Sequence, residues 1–244
     1  MNNSFAFTIL LIIQIISFIH CVVNIAEYNS KANPLSTNSY KDFLGIEVAC
    51  PSKGALKKFS IKTDASNVWY SYTCYSSLTN SNEYDESILK SLFISNNLSY
   101  NYKSSELISI LNKIDVLCPV DYALSRFIIS TDKNQQQLNV DYSCVGVKSS
   151  YQTKKNTISS DVLEGPPNSL DVIAGLPCGD NTIETEQAPG TPLRGFKFYF
   201  NVESDSSAKG QFYYSYHKLR SIELERKQWS KNAEEYRTKN NQKN

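Results

Sequence analysis

Three stretches of the chain carry the same alternation of apolar and polar positions. Ile46, Val48 and Cys50 fall at every second residue, and so do Ile114, Val116 and Cys118. A period of two places such residues on one face of a strand. Further on, Val68, Tyr70, Tyr72 and Cys74 alternate in the same way, as do Leu138, Val140, Tyr142 and Cys144. Between these runs, Leu56-Phe59-Ile61, Leu124-Phe127-Ile129 and Leu193-Phe196-Phe198 keep one set of offsets. Self-similarity at matching offsets is the mark of a repeat. The copies span residues 43–74, 111–144 and 170–217. Each predicts about three strands.

Many Tyr and Phe, few Gly and many alternating β-branched residues favour an all-β domain over residues 43–217. Three copies predict a β-prism or a β-trefoil-like arrangement. A two-sheet β-sandwich is the alternative, because two close copies and one divergent copy need not close into a ring.

Each cysteine of the first two copies ends the apolar face of its own strand, so two such strands can be bridged within a copy. The expected disulfides are Cys50–Cys74 and Cys118–Cys144. The third copy places Lys218 where Cys74 and Cys144 stand, after Tyr214-Ser215-Tyr216-His217. Cys178 is therefore expected to be unpaired, as a buried thiol or as a bridge to another chain.

The start of the chain is different in kind. Residues 5–19 read FAFTILLIIQIISFI, with no charged side chain. The run is too short for a comfortable membrane span and fits the apolar region of a signal peptide. We expect residues 1–21 to be removed, with a cut after Cys21 or, as the alternative, after Ala26. The mature chain would then be secreted, with no stable membrane span. That route permits the disulfides and makes Asn97, in Asn97-Leu98-Ser99, a glycosylation candidate.

The remaining stretches connect or extend the copies. Residues 22–42 read as a polar lead-in. Ile88, Leu89, Leu92 and Phe93 fit one face of a short helix, and residues 107–111 are too short to assign, a strand running into Ile114 being one reading. The join from Val145 to Ser169 is polar, and Gly165-Pro166-Pro167 stops any regular element there. In residues 218–244, Ile222, Trp229 and Tyr236 recur every seven residues, which predicts a short C-terminal amphipathic helix and then a polar tail. That tail holds 8 Lys/Arg and 4 Glu.

Composition narrows the chemistry. The formal net charge is +1 over 244 residues, which argues against a nucleic-acid binder. Of the two histidines, His20 lies in the leader, leaving His217. Alternation puts His217 opposite Tyr214 and Tyr216 and so towards solvent. A histidine-based metal site is then out of reach. No P-loop, dinucleotide fingerprint, nucleophile elbow, zincin motif or C-x-x-C occurs. No catalytic residue, metal ligand or cofactor is therefore predicted.

The expected function is a secreted, non-enzymatic binding or structural protein. Repeated β modules suit a glycan or a cell-surface protein as partner. Trp69 and Tyr199 lie opposite the inward faces and are the candidate exposed contacts. Two alternatives remain. One is a glycosidase-like hydrolase using carboxylates such as Glu47, Asp115 and Asp171. The other is a covalently linked subunit of an extracellular layer, forming homo-oligomers through Cys178 or the C-terminal helix.

Overall fold

A computed structural model describes residues 25–51, 54–75, 92–99, 107–132, 137–147, 156–167, 169–179, 191–204, 207–217 and 230–232. In chain order the elements are β1 (Ile25–Asn29), β2 (Asn33–Pro34), β3 (Glu47–Ala49), β4 (Ala55–Thr63), β5 (Asn67–Tyr75) and β6 (Leu92–Ser99). A short helix α1 (Leu107–Leu111) follows, then β7 (Asp115–Leu117), β8 (Tyr122–Thr131), β9 (Gln137–Gly146), β10 (Asn156–Ser159) and β11 (Leu163–Gly165). A 3-10 turn (Leu170–Val172), β12 (Cys178–Gly179), β13 (Leu193–Ser204) and β14 (Ser207–Tyr216) complete the order. The chain is mostly β, and every strand pair is antiparallel.

The long hairpins β4–β5, β8–β9 and β13–β14 are the units that the alternation marked. The Leu-x-x-Phe offset explains their shared irregularity. Leu56 and Phe59 are three residues apart, yet both are buried. A strict period of two forbids that. The ladder therefore shifts register between Leu56 and Lys58, between Leu124 and Arg126, and between Leu193 and Gly195. A β-bulge absorbs the extra residue in each hairpin and increases the local twist.

The strand before each hairpin does not stay in its own sheet. β3 pairs with β8, β7 with β13, and β12 with β4. The three sheets run β1-β5-β4-β12, β3-β8-β9-β6 and β10-β14-β13-β7, with β2 and β11 added at β5 and β14. Each sheet thus holds one short strand from a different segment.

Their inner faces meet at an aromatic centre. The rings of Phe59, Phe127 and Phe196 are each 4.9 Å from the other two. These are the three Phe of the repeated motif. Tyr70 and Phe212 pack edge-on against Phe59. Such contacts add to the area-driven gain of burying the rings.

Both cysteine pairs form disulfides, Cys50–Cys74 and Cys118–Cys144. Each joins two sheets. Cys50 follows β3 and its N–H donates to the Ser125 carbonyl of the second sheet at 2.9 Å, whereas Cys74 lies in the first. Cys118 follows β7 and its N–H donates to the Arg194 carbonyl of the third sheet at 3.0 Å, whereas Cys144 lies in the second.

Several expectations need correction. The place of Cys74 and Cys144 in the third hairpin is held by Tyr216, not Lys218. Leu56 faces Cys74, Leu124 faces Cys144, and Leu193 faces Tyr216. Cys178 is not the remaining half of that bridge either. Val48 faces Phe127, Val116 faces Phe196, and Cys178 faces Phe59. The thiol therefore holds a valine position, two residues before the bridging one. Two glycines at positive φ fix this alignment. The N–H groups of Gly45 and Gly175 donate to the Ile129 and Ile61 carbonyls, both at 2.7 Å.

The lead-in is not a bare tether. Its β1 pairs with β5, and Tyr40 and Asp42 are buried. Ala26 lies inside β1 opposite Cys74, so a cut after Ala26 would remove the strand's first two residues. Burial works to raise the Asp42 pKa, but the Ser36 hydroxyl and the Thr37 and Ser39 N–H groups hold it below the usual carboxylate value.

Leu92 and Phe93 belong to a strand rather than a helix, because β6 completes the second sheet on β9; Ile88 and Leu89 lie outside the described residues. Residues 107–111 form α1 rather than a strand. The polar join after Val145 supplies β10 and β11 to the third sheet. Edge strands satisfy ladder groups without a full apolar face, which is why polarity hid them. Of residues 218–244 only 230–232 are described, and they are helical and exposed.

Candidate functional site

Among the described residues, the exposed aromatic ring is Tyr199, on the outer face of the third sheet. In β13, Phe196, Phe198 and Phe200 point into the core, so Lys197, Tyr199 and Asn201 point out. In β14, Phe212 points in and Gln211 and Tyr213 point out. Tyr199 faces Gln211, and Lys197 faces Tyr213, across the hairpin. The Tyr199 ring meets the Tyr213 ring edge-on, at 5.5 Å and 85°. The Gln211 side-chain amide donates to the Tyr213 hydroxyl at 3.0 Å. Tyr213 is thus held from two sides and props Tyr199, which is 45% exposed.

Both lysines around this pair are engaged by carboxylates. Lys197 pairs with Asp115 at 2.7 Å, and Lys209 with Glu203 at 2.8 Å. The hydrogen bond to Glu203 pushes the Lys209 pKa up, and Glu164 adds to the effect. The face therefore offers an aromatic platform and amide groups, with both lysines engaged and Glu164 adding a negative charge. Ile158 of β10, Val162 after β10 and Val202 of β13 are also exposed, but Ile158 faces Tyr214 and Val202 faces Ala208, on the side of the sheet opposite Tyr199.

The other candidates lie elsewhere. Trp69 faces Lys62 on the outer side of the first sheet and is half-buried. It is not brought to Tyr199. Register makes Lys62–Trp69, Ser130–Asn139 and Tyr199–Gln211 the corresponding outward pairs. Three different chemistries stand there, so the hairpins do not present one surface three times. Asn97 lies on the edge strand β6, at the register position opposite Asn139.

The three carboxylates are exposed and sit apart. Glu47 pairs with Arg126, and Asp115 with Lys197. Asp171 accepts from Ser169 and Asn38. Among the described residues no group of three or more His, Cys, Asp or Glu is placed to hold a metal ion. No helix among them is long and apolar enough to cross a membrane.

His217 is buried, not solvent-facing. The expectation extended the strand's alternation one residue past its end. β14 stops at Tyr216, and the His217 N–H donates to the Pro192 carbonyl at 2.9 Å. Cys178 is free and fully buried, and burial pushes its thiol pKa well up. A thiol that is both inaccessible and protonated reacts slowly. We expect Cys178 to resist iodoacetamide in the native protein and to label fully in denaturant, as read by peptide mass. Equal labelling in both conditions would contradict the burial.

Tyr213 and Gln211 escaped the sequence reading. Their signal was present. Tyr213 has the opposite parity to Phe212 and Tyr214, so it shares a face with Gln211. Pairing them with Tyr199 needed the hairpin register, which the bulge shifts. No family model, curated protein or solved structure matches this chain.

Proposed function

We propose that the protein is a secreted, non-enzymatic binding module that holds a neutral saccharide on the outer face of its third sheet. The observation that carries this reading is Tyr199, an exposed ring braced by Tyr213 and flanked by the Gln211 and Asn201 amides. A sugar ring offers an apolar face for stacking and a hydroxyl rim for amide hydrogen bonds. With both lysines paired and Glu164 adding a negative charge, the face favours an uncharged ligand over an acidic one. The engaged, separated carboxylates weigh against the hydrolase alternative. The apolar leader and the two disulfides support the secretory route.

We also read the strand exchange as a closed, three-fold β-prism. Each segment lends its short strand to another sheet, in the order first to second, second to third and third to first. The triangle of Phe59, Phe127 and Phe196 supports a pseudo-three-fold axis.

The test is binding to immobilised neutral oligosaccharides. Tyr199→Ala is expected to weaken binding at least about tenfold, which corresponds to about 1.4 kcal/mol. Its melting temperature should stay close to that of the parent, because the ring is exposed. Trp69→Ala should leave binding unchanged. Unaltered binding by Tyr199→Ala, or no binding to any neutral glycan by the parent, would overturn the reading.

A further inference from the structure

His217 closes the end of the third hairpin against the turn that joins β7 to β8. Its Nε2 lies 2.9 Å from the Tyr122 carbonyl oxygen. A carbonyl only accepts, so Nε2 carries the hydrogen and the lone pair of the neutral ring sits on Nδ1. That nitrogen is buried and has no hydrogen-bond partner. The whole residue is 2% exposed.

Arg194 holds the other end of the same turn. Its Nε donates to the Cys118 carbonyl at 2.9 Å, and its side chain is buried too. Between these two holds the backbone bends at Asp121, where φ is 68°. The Val147 N–H donates to the Asp121 carbonyl at 2.6 Å. The turn begins at Cys118, so it lies on the seam between the second and third sheets.

We propose that neutral His217 is a pH-sensitive latch on the 118–122 turn, and that mild acid releases it. Protonation would put a hydrogen on Nδ1 with no acceptor, in a buried place, and add a positive charge near Arg194. Both effects oppose the closed arrangement. The charged groups that act on the ring are Arg194 from β13 and Asp121 from the turn, and Tyr122 meets it through its backbone carbonyl. Tyr75 of β5 closes the same end, its hydroxyl accepting from the Thr191 N–H at 2.8 Å. Asp121 is exposed and offsets the charge only weakly.

The sign follows from linkage. Burial, reinforced by Arg194, holds the folded His217 below the ordinary histidine pKa; the Tyr122 carbonyl and Asp121 oppose this but do not reverse it. The unfolded chain takes up its proton near pH 6.5, the folded chain at lower pH. The contribution is therefore complete above about pH 6.5 and is lost as the pH falls through the window beneath it. The corresponding positions in the other hairpins are Tyr75 and Val145, facing Ala55 and Ala123. Neither carries an imidazole, so the third hairpin alone carries the latch among the three.

The test compares the full chain with His217→Val and His217→Gln, melted at about pH 7.5 and about pH 5. Valine is the residue of the second hairpin at this position. Glutamine keeps an amide donor for Tyr122 and does not titrate. The parent is expected to lose about 3 °C more than either variant on acidification, roughly 1 kcal/mol for a chain of this size. Its imidazole NMR signal, identified by its loss in His217→Gln, should titrate below about 6.5. Equal acid sensitivity in all three proteins, or titration at or above the ordinary value, would overturn the proposal. If His217→Val fails to fold, His217→Gln and the NMR titration decide the matter.

Discussion

Replacing Phe127 with alanine is expected to lower the stability of the fold by about 3–5 kcal/mol, the range for a buried Phe cut to Ala. The upper half of that range applies here. The Phe127 ring is fully buried and touches Phe59 and Phe196 at 4.9 Å and Tyr70 at 5.4 Å. Its removal empties the point where three sheets meet. Each wall of the resulting void is a hydrogen-bonded ladder, so the walls cannot close inward without breaking strand pairs. Phe127→Leu should recover most of the loss, since leucine refills much of the volume. Val202→Ala, at an exposed position of β13, should change little. Urea unfolding of the three variants measures this. A cost below about 1 kcal/mol for Phe127→Ala would mean that the centre collapses freely and is not a shared wall.

The second large effect concerns the bridges. Removing Cys118–Cys144 as the double variant Cys118→Ala/Cys144→Ala is expected to cost about 3–4 kcal/mol. The two cysteines are 26 residues apart, and a loop of that length sets this scale in the chain-entropy account. The corresponding melting shift is about 10 °C downward. Removing both partners avoids a new reactive thiol. Position adds to the entropic argument. The bridge spans the seam between the second and third sheets, where Arg194 and His217 also hold the 118–122 turn. Loss of the bridge should therefore raise amide exchange first at Tyr122 and Val147, whose N–H groups tie that turn. Loss of Cys50–Cys74 should spare those amides and loosen the first seam instead. Uniform loosening in both variants would contradict a bridge-by-seam arrangement.

The candidate site was legible in part. Parity alone put Tyr199 outward, because Phe198 and Phe200 had to point in. Trp69 was outward by the same rule, yet half of it is covered, since neighbouring outward side chains also pack. His217 was misread because alternation holds only while the ladder lasts. One residue beyond β14 the backbone turns inward to Pro192. Cys178 was aligned on its chemistry, cysteine with cysteine. Gly45 and Gly175 carried the truer alignment, and their role is visible only as hydrogen bonds to Ile129 and Ile61.

The local units follow from short-range pattern. Period-two alternation made the strands, and the Leu-x-x-Phe offset contained the bulge of each hairpin. Cysteines at the ends of apolar faces pointed to both bridges, because side-chain direction turns each of them inward, although each bridge closes between two sheets. Which strand joins which sheet is set by long-range packing. The short strands β3, β7 and β12 each leave their own hairpin for another, and nothing local distinguishes one hairpin edge from the next. That choice depends on burying three inner faces against one another, a non-local gain that no window of the sequence contains. The same long-range packing placed Cys178 among the Phe rings, buried His217, and set Tyr213 beneath Tyr199.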